Sequence, residues 1–414
     1  MPRRFIHAAD LHLDSPFTSI GSLREGLDDR LRDASLEAWD ALVDCCLVEE
    51  AEFLVLAGDL FDRADGTPRG RARVRRGVDR LHAAGIRVFA VHGNHDPLTG
   101  RSPLAGLDGV TVFPRDRHTS ETFEGIGGLV TIHGASFGKR EVTENLALLY
   151  ERGDEPGLHV GVLHCSLGER EGHGTYAPCS VDDLLRARLD YWALGHIHAY
   201  SEEHAAPPVI YAGTLQGRSP KPGERGPHGA VVVEFAGDQV LGHRRVELDR
   251  VRFEAVEVAI DELEDEADLE RVLRRRADEV VRSADGRLVL LRVILTGRGP
   301  LHGLLIGDDY LQELRTALDD QESDELVWER IVSQAGPAID LDELRASNAF
   351  VAEVLAGFDT LAADPAALQA FLEDRTRSLT DAALTGLAEE DPQARLIAAR
   401  DLALGLILEQ DGVA

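Results

Sequence analysis

Five short runs of this sequence carry the residue types that bind divalent cations and move protons: Asp10-Leu11-His12, Gly58-Asp59, Gly93-Asn94-His95-Asp96, His164, and His196-Ile197-His198. Imidazole, carboxylate and an amide oxygen make a borderline-hard donor set, suited to Mn²⁺, Fe²⁺ or Zn²⁺ rather than to Mg²⁺ alone. The donors are too many for one tetrahedral ion. Two ions roughly 3.5–4 Å apart, sharing one carboxylate, accommodate them, clamp a phosphoryl oxygen and activate a water for in-line attack. The Gly-Asn-His-Asp run reads as a unit. Gly93 permits a sharp turn, Asn94 offers an amide oxygen, His95 an imidazole, and Asp96 a carboxylate able to fix the tautomer of His95. Taken singly, each run is also what a polar turn or a satisfied core histidine looks like.

Their weight comes from position. Each run stands just past an apolar strand: residues 4–9, Phe53–Ala57, Ile86–Val91, Leu158–His164 and Tyr191–Leu194. Ligand sites of open α/β sheets collect beyond the carboxyl ends of strands. Helical periodicity over 30–51 and 70–84 separates the first three strands, a βαβαβ rhythm that predicts a largely parallel sheet with right-handed crossovers. Shorter spacing over 106–136, with strands at Val110–Phe113 and Leu129–Gly134, predicts a mixed or second sheet. A helix is expected near 141–151 and another from the Ser180 cap, whereas Gly213–Gly229 is too rich in Gly and Pro for a core element. Past residue 250, helix 262–283, strand Arg287–Leu295, helix 308–319 and strand Leu326–Val332 compose a small α/β domain, and after Pro337 come helices 341–357, 365–375 and 390–409. The expected organisation is therefore 1–250, 251–337 and 338–414.

Net charge is −30, from 44 basic and 74 acidic residues, so any nucleic-acid binding must rest on a local basic groove, on metal ions or on a partner subunit. No apolar run approaches the roughly 18–20 residues that span a bilayer, and Met1-Pro2-Arg3-Arg4 leads into a short strand rather than a signal-peptide core. Cys45, Cys46, Cys165 and Cys179 form no C-x-x-C pair, which suits a reducing compartment. A cytoplasmic location is expected.

In its series D-x-H, G-D, G-N-H-D, H and G-H-x-H, the sequence resembles the calcineurin-like metallophosphoesterases, over residues 5–215. The resemblance implies a four-layer αββα sandwich of α/β class and two divalent ions, with Mn²⁺ expected and Fe²⁺ or Zn²⁺ as alternatives. It implies a first ion on Asp10, His12, Asp59 and His198, a second on Asp59, Asn94, His164 and His196, and Asp59 as the bridge. His95 is implied near the leaving oxygen, oriented by Asp96. The opening run Phe5 to Phe17, with Asp10-Leu11-His12-Leu13-Asp14-Ser15-Pro16, is similar to the start of the SbcD-like DNA repair exonucleases of the YhaO branch, as is Tyr211-Ala212-Gly213-Thr214-Leu215-Gln216. That likeness implies a metal-dependent DNA exonuclease or endonuclease of repair. It further implies a small capping domain, and a helical C-terminal region that docks on an SMC-like ATPase (SbcC-like or YhaN-like). A homodimer stays open.

Two rivals remain at this point: a phosphodiesterase or phosphatase acting on small nucleotides or phosphoproteins, and a scaffold that recruits the ATPase without catalysis. Asp14 and Ser15 read as a loop-shaping pair. His7 and His92 read as core histidines or as donors to ligand carboxylates, while His133, His173, His204 and His228 are open between solvent and substrate. Arg218, Lys221 and Arg225 are candidates for phosphate contact or for a plain surface loop.

Overall fold

The computed structural model describes residues 2–15, 17, 27–63, 66–126, 128–168, 174–319, 323–338, 341–376 and 391–410. The chain divides into two compact units, Met1–Phe253 and Glu254–Ala414. In the first, β1 (Arg3–Ala8), α1 (Leu27–Val48), β2 (Phe53–Ala57), α2 (Pro68–Ala83), β3 (Arg87–Val91) and β4 (Val110–Val112) are followed by the strands β5 (Thr119–Gly125), β6 (Gly128–Gly134) and β7 (Leu158–His164). Then come α3 (Val181–Arg186), β8 (Tyr191–Gly195), β9 (Ser201–Ala205), β10 (Pro208–Tyr211), β11 (Gly229–Ala236) and β12 (Gln239–Glu247). They form two six-stranded sheets, ordered β12-β11-β1-β2-β3-β4 and β5-β6-β7-β8-β10-β9. The pairs β1–β2, β2–β3, β6–β7 and β7–β8 are all parallel.

Strand alternation explains the layers. Phe5, Phe53, Val55, Phe89 and Val91 from one sheet share a core with Val130, Ile132, Val160, Val162, Tyr191 and Ala193 from the other, so the two sheets pack face to face. The intervening residues Ile6, Ala8, Leu54, Leu56 and Val88 point the other way, onto Trp39, Leu42 and Val43 of α1 and Val74, Val78 and Leu81 of α2. On the far side, Leu163, Trp192 and Leu194 pack against Leu146, Ala147 and Leu184. Both faces of the central strands are buried, which is why they read as continuous apolar runs rather than as alternating ones.

The expected helix at 141–151 is only a 3₁₀ turn, Leu146–Leu149, capped by the Asn145 side chain. Leu146 and Ala147 are buried but Leu148 and Leu149 are exposed, so the apolar run covers too little surface to hold a longer helix. Helix 341–357 is interrupted at Asn348, whose side chain accepts from the N–H groups of Phe350 and Val351 and so starts a new helix. Strands β5, β9 and β12 escape the sequence pattern because they lie half exposed and carry mostly polar residues.

In the second unit, β13 (Val251–Ala259), which begins in the last residues of the first, forms a sheet with β14 (Leu288–Thr296) and β16 (Leu326–Ser333), covered by α4 (Glu266–Ser283) and α6 (Asp308–Asp319). The short β15 (Arg298–Gly299), α5 (His302–Leu305) and β17 (Gly336–Pro337) lie between and after them. Among the described residues, four helices follow: α7 (Leu341–Ser347), α8 (Ala349–Ala363), α9 (Pro365–Thr376) and α10 (Pro392–Gln410). Arg298 donates to Asp401 at 2.6 Å, fastening α10 to the α/β part of the unit. No described helix is long and apolar enough to cross a membrane.

Candidate metal centre

The site lies beyond the carboxyl ends of β1, β2 and β3 in one sheet and β7 and β8 in the other. Past their last paired residues, the first two strands stay stitched together: Asp10 N–H donates to Gly58 O and His12 N–H to Asp59 O. The two sheets meet where His196 N–H donates to the carboxylate of Asp10 at 3.0 Å. Asp10, His12, Asp59 and His196 all hold positive φ, at 50°, 42°, 50° and 105°. Each such residue costs on the order of 1–3 kcal/mol, strain that clusters where side chains must be aimed at a ligand. Gly93 is demanded by space: a Cβ there would collide with the Asp59 carboxylate and the His164 ring.

Asp10, His12 and His198 bring one donor atom each within 4.8 Å of one another, and so do Asp10, Asp59 and His164; Asp10 is common to both groups. Asn94 joins the second through its side-chain oxygen, 2.8 Å from His164 Nε2. His196 stands beside them, its ring 5.3 Å from that of His164, with Nε2 turned to the carbonyl of Gly174 at 2.8 Å. His95 sits at the solvent side with its ring against His12, and its N–H donates to Asp59 Oδ1 at 2.9 Å.

The tautomers decide what this cluster can do. His12 Nδ1–H donates to Asp62 at 2.6 Å and His198 Nδ1–H donates to Glu224 at 3.0 Å, which leaves the lone pair of each ring on Nε2. Those two Nε2 atoms face one another at 3.2 Å, and in neutral rings with these tautomers both carry lone pairs. His164 repeats the pattern: its Nδ1–H donates to Ala57 O at 3.0 Å, and its Nε2 faces oxygens of Asn94 and Asp59. Lone pairs converging in a buried space repel unless a cation lies among them, so the donor set fits divalent metal ions.

The electrostatics agree. Burial and the neighbouring Asp59 push the Asp10 carboxyl well up, and burial with Asp96 pushes Asp59 up to about 7. Burial holds His12 well below the usual imidazole range and His164 at about 4, so both rings are neutral ligands at physiological pH. Burial works against ionisation of Asp62 and Glu224. The hydrogen bonds from His12 and His198, with the Arg218 charge, outweigh it and hold Asp62 well below its ordinary range and Glu224 at about 2.

Asp96 corrects the expectation placed on it. Its carboxylate accepts from Leu60 N–H and Gly93 N–H, both at 3.0 Å, and lies 3.3 Å from His92 Nδ1, so it braces the two turns rather than orienting His95. The carboxylate facing the His95 ring is Asp62, at 3.7 Å. Sequence reasoning missed Asp62 and Glu224. The first carries a faint signal, an acid three positions past Asp59; the second, 26 positions past His198, carries none. Arg218 is largely buried and donates through Nη1 to both oxygens of Asp62, while its Nε has no hydrogen-bond partner among the described residues. Arg225 Nε donates to Pro220 O, and Lys221 is exposed. Ser15 donates to Asp62 and Thr67 to Asp14, so both members of that pair shape the loop.

Most of the remaining histidines have structural partners, whereas both ring nitrogens of His228 lack a hydrogen-bond partner among the described residues. His7 bonds Tyr191 and Leu194, and His92 bonds Asp96 O and Ser102. His133 lies between His118 and His159, His204 bonds Pro207 O, and His228 is buried, while His173 lies outside the described residues.

Fold and site together define a phosphoester hydrolase, and the chain belongs to the calcineurin-like metallophosphoesterase family. The family description "Calcineurin-like phosphoesterase" matches residues 3–200, and "Metallophosphoesterase YhaO, middle domain" matches residues 253–336. Metallophosphoesterase YhaO of Bacillus subtilis is 34% identical over 331 residues, 78% of this chain and 79% of its own. DNA double-strand break repair protein Mre11 of Thermoplasma acidophilum is 28% identical over 72% of this chain and 76% of its own; that of Methanopyrus kandleri is 27% identical over 66% and 62%.

Proposed function

We propose that this chain is a divalent-metal-dependent nuclease of DNA repair, working in the cytoplasm and hydrolysing phosphodiester bonds without a covalent intermediate. The observation that carries the metal-dependent reading is the pair of facing lone pairs on His12 and His198. Asp10, His12 and His198 would hold one ion and Asn94, His164 and His196 the other; Asp59 would be shared between them as the family series implies, with Asp10, common to both donor groups, beside it. Bound there, Mn²⁺ supplies Lewis acidity that polarises phosphoryl oxygens and ionises water near neutral pH. His95 would give a proton to the leaving oxygen, a role supported by its backbone N–H bond to Asp59 and by the Asp62 carboxylate facing its ring.

DNA as substrate is supported by the two Mre11 relatives, named for double-strand break repair, which match across 72% and 66% of this chain. An SMC-like ATPase partner is supported by the C-terminal helices, which leave Phe350, Ile397 and Leu402 exposed. The test is manganese-dependent cleavage of linear DNA by the purified chain, with and without that ATPase. Asp59→Ala and His95→Ala are expected to abolish cleavage. Turnover of bis(p-nitrophenyl) phosphate or cyclic nucleotides with none of DNA would hand the site to a small-molecule phosphodiesterase.

A further inference from the structure

A closed ring of contacts lies behind the His12–His198 half of the centre. His12 Nδ1–H donates to Asp62, and both oxygens of Asp62 accept from the guanidinium of Arg218, at 3.3 and 3.1 Å. The backbone N–H of the same Arg218 donates to Glu224 Oε2 at 2.7 Å, and Glu224 Oε1 accepts from His198 Nδ1–H. The facing Nε2 atoms complete the circuit. Arg218 thus touches, with side chain and main chain, both carboxylates that decide which nitrogen of each ring is free. Asp62 comes from the turn after β2 and Glu224 from the irregular segment after β10, so no single element fixes their separation; Arg218 does.

We propose that Arg218 is a positioning residue for the cation held by His12 and His198, setting the tautomers and spacing of both rings through Asp62 and Glu224. The inference rests on the metal centre argued above. The Arg218 side chain is 16% exposed and its Nη1 engages both oxygens of one carboxylate, a geometry that suits a strut holding Asp62 in place. Its hydrogen bonds serve that side: among the described residues, the hydrogen-bond and ion-pair partners of Asn94 and His164 do not include Arg218.

Mn²⁺ titration by calorimetry, with electron paramagnetic resonance on the same samples, compares the full-length parent with Arg218→Met and Arg218→Lys. One of two ions is expected to bind about 10–100-fold more weakly in Arg218→Met while the other keeps its affinity. The spin-coupled signal of the parent should give way to that of isolated ions. Arg218→Lys should recover part of the loss, since an ammonium still reaches Asp62. Should Arg218→Met fail to fold, Glu224→Gln, which cannot accept from both of its donors, is expected to show the same one-sided loss. Two ions bound as in the parent, with only a raised KM for DNA, would overturn the inference and make Arg218 a substrate residue. A parent that takes up no Mn²⁺ would overturn it together with the centre itself.

Discussion

At the residue scale, the site is governed by what cannot be changed without collision. Gly93 brings the β3 turn against Asp59 and His164. Gly93→Ala should cost about 1–3 kcal/mol through overpacking and lower Mn²⁺ occupancy, measured by urea unfolding and elemental analysis. Full occupancy with parental stability would show that the approach is looser than the geometry implies. A second residue-scale expectation concerns acid. Burial keeps the His7 imidazole neutral down to about pH 3, whereas in the unfolded chain it takes up a proton near pH 6.5. The unfolded state therefore binds more protons between those values, and stability present above pH 6.5 is lost as pH falls through the window, at about 1.4 kcal/mol per pH unit. Urea unfolding of the metal-free chain at pH 7 and pH 5 should show that loss, and His7→Gln should flatten the slope by one proton; identical slopes would contradict the assignment.

At the scale of elements, the strands that carry ligands were legible because they are buried on both faces. Leu158–His164 and Phe53–Ala57 stand in the structure where their apolar runs placed them. The failures share one cause. Where an element is defined by pairing rather than by burial, as in β5 with its Thr-Ser-Glu-Thr register against β6, composition carries little signal. Asp62 and Glu224 were illegible for a related reason: their roles arise from contacts to residues as far as 156 positions away in sequence. The order of the ligand runs was readable because each sits at the end of its own strand. Between the sheets, Phe53 stacks on Phe5 at 4.7 Å and meets Phe89 and Phe123 edge-on, so it joins both layers. Phe53→Ala should cost about 3–5 kcal/mol in chemical denaturation. A loss under about 1 kcal/mol, roughly the cost of a surface change, would mean that the interlayer core is not what holds the sheets together.

At the scale of the whole molecule, two mixed sheets packed face to face are joined at the carboxyl ends of their parallel central strands by the Asp10–His196 contact, and the metal site is the seam. A chain with net charge −30 that buries Asp10 and Asp59 side by side has built a place where cations lower the energy of the folded state. The most direct test is anomalous diffraction from crystals grown with Mn²⁺. Two peaks are predicted about 3.5–4 Å apart, one between the Nε2 atoms of His12 and His198 and one beside His164 Nε2. A single peak elsewhere, or His12 and His198 keeping their facing contact with no density between them, would contradict the account.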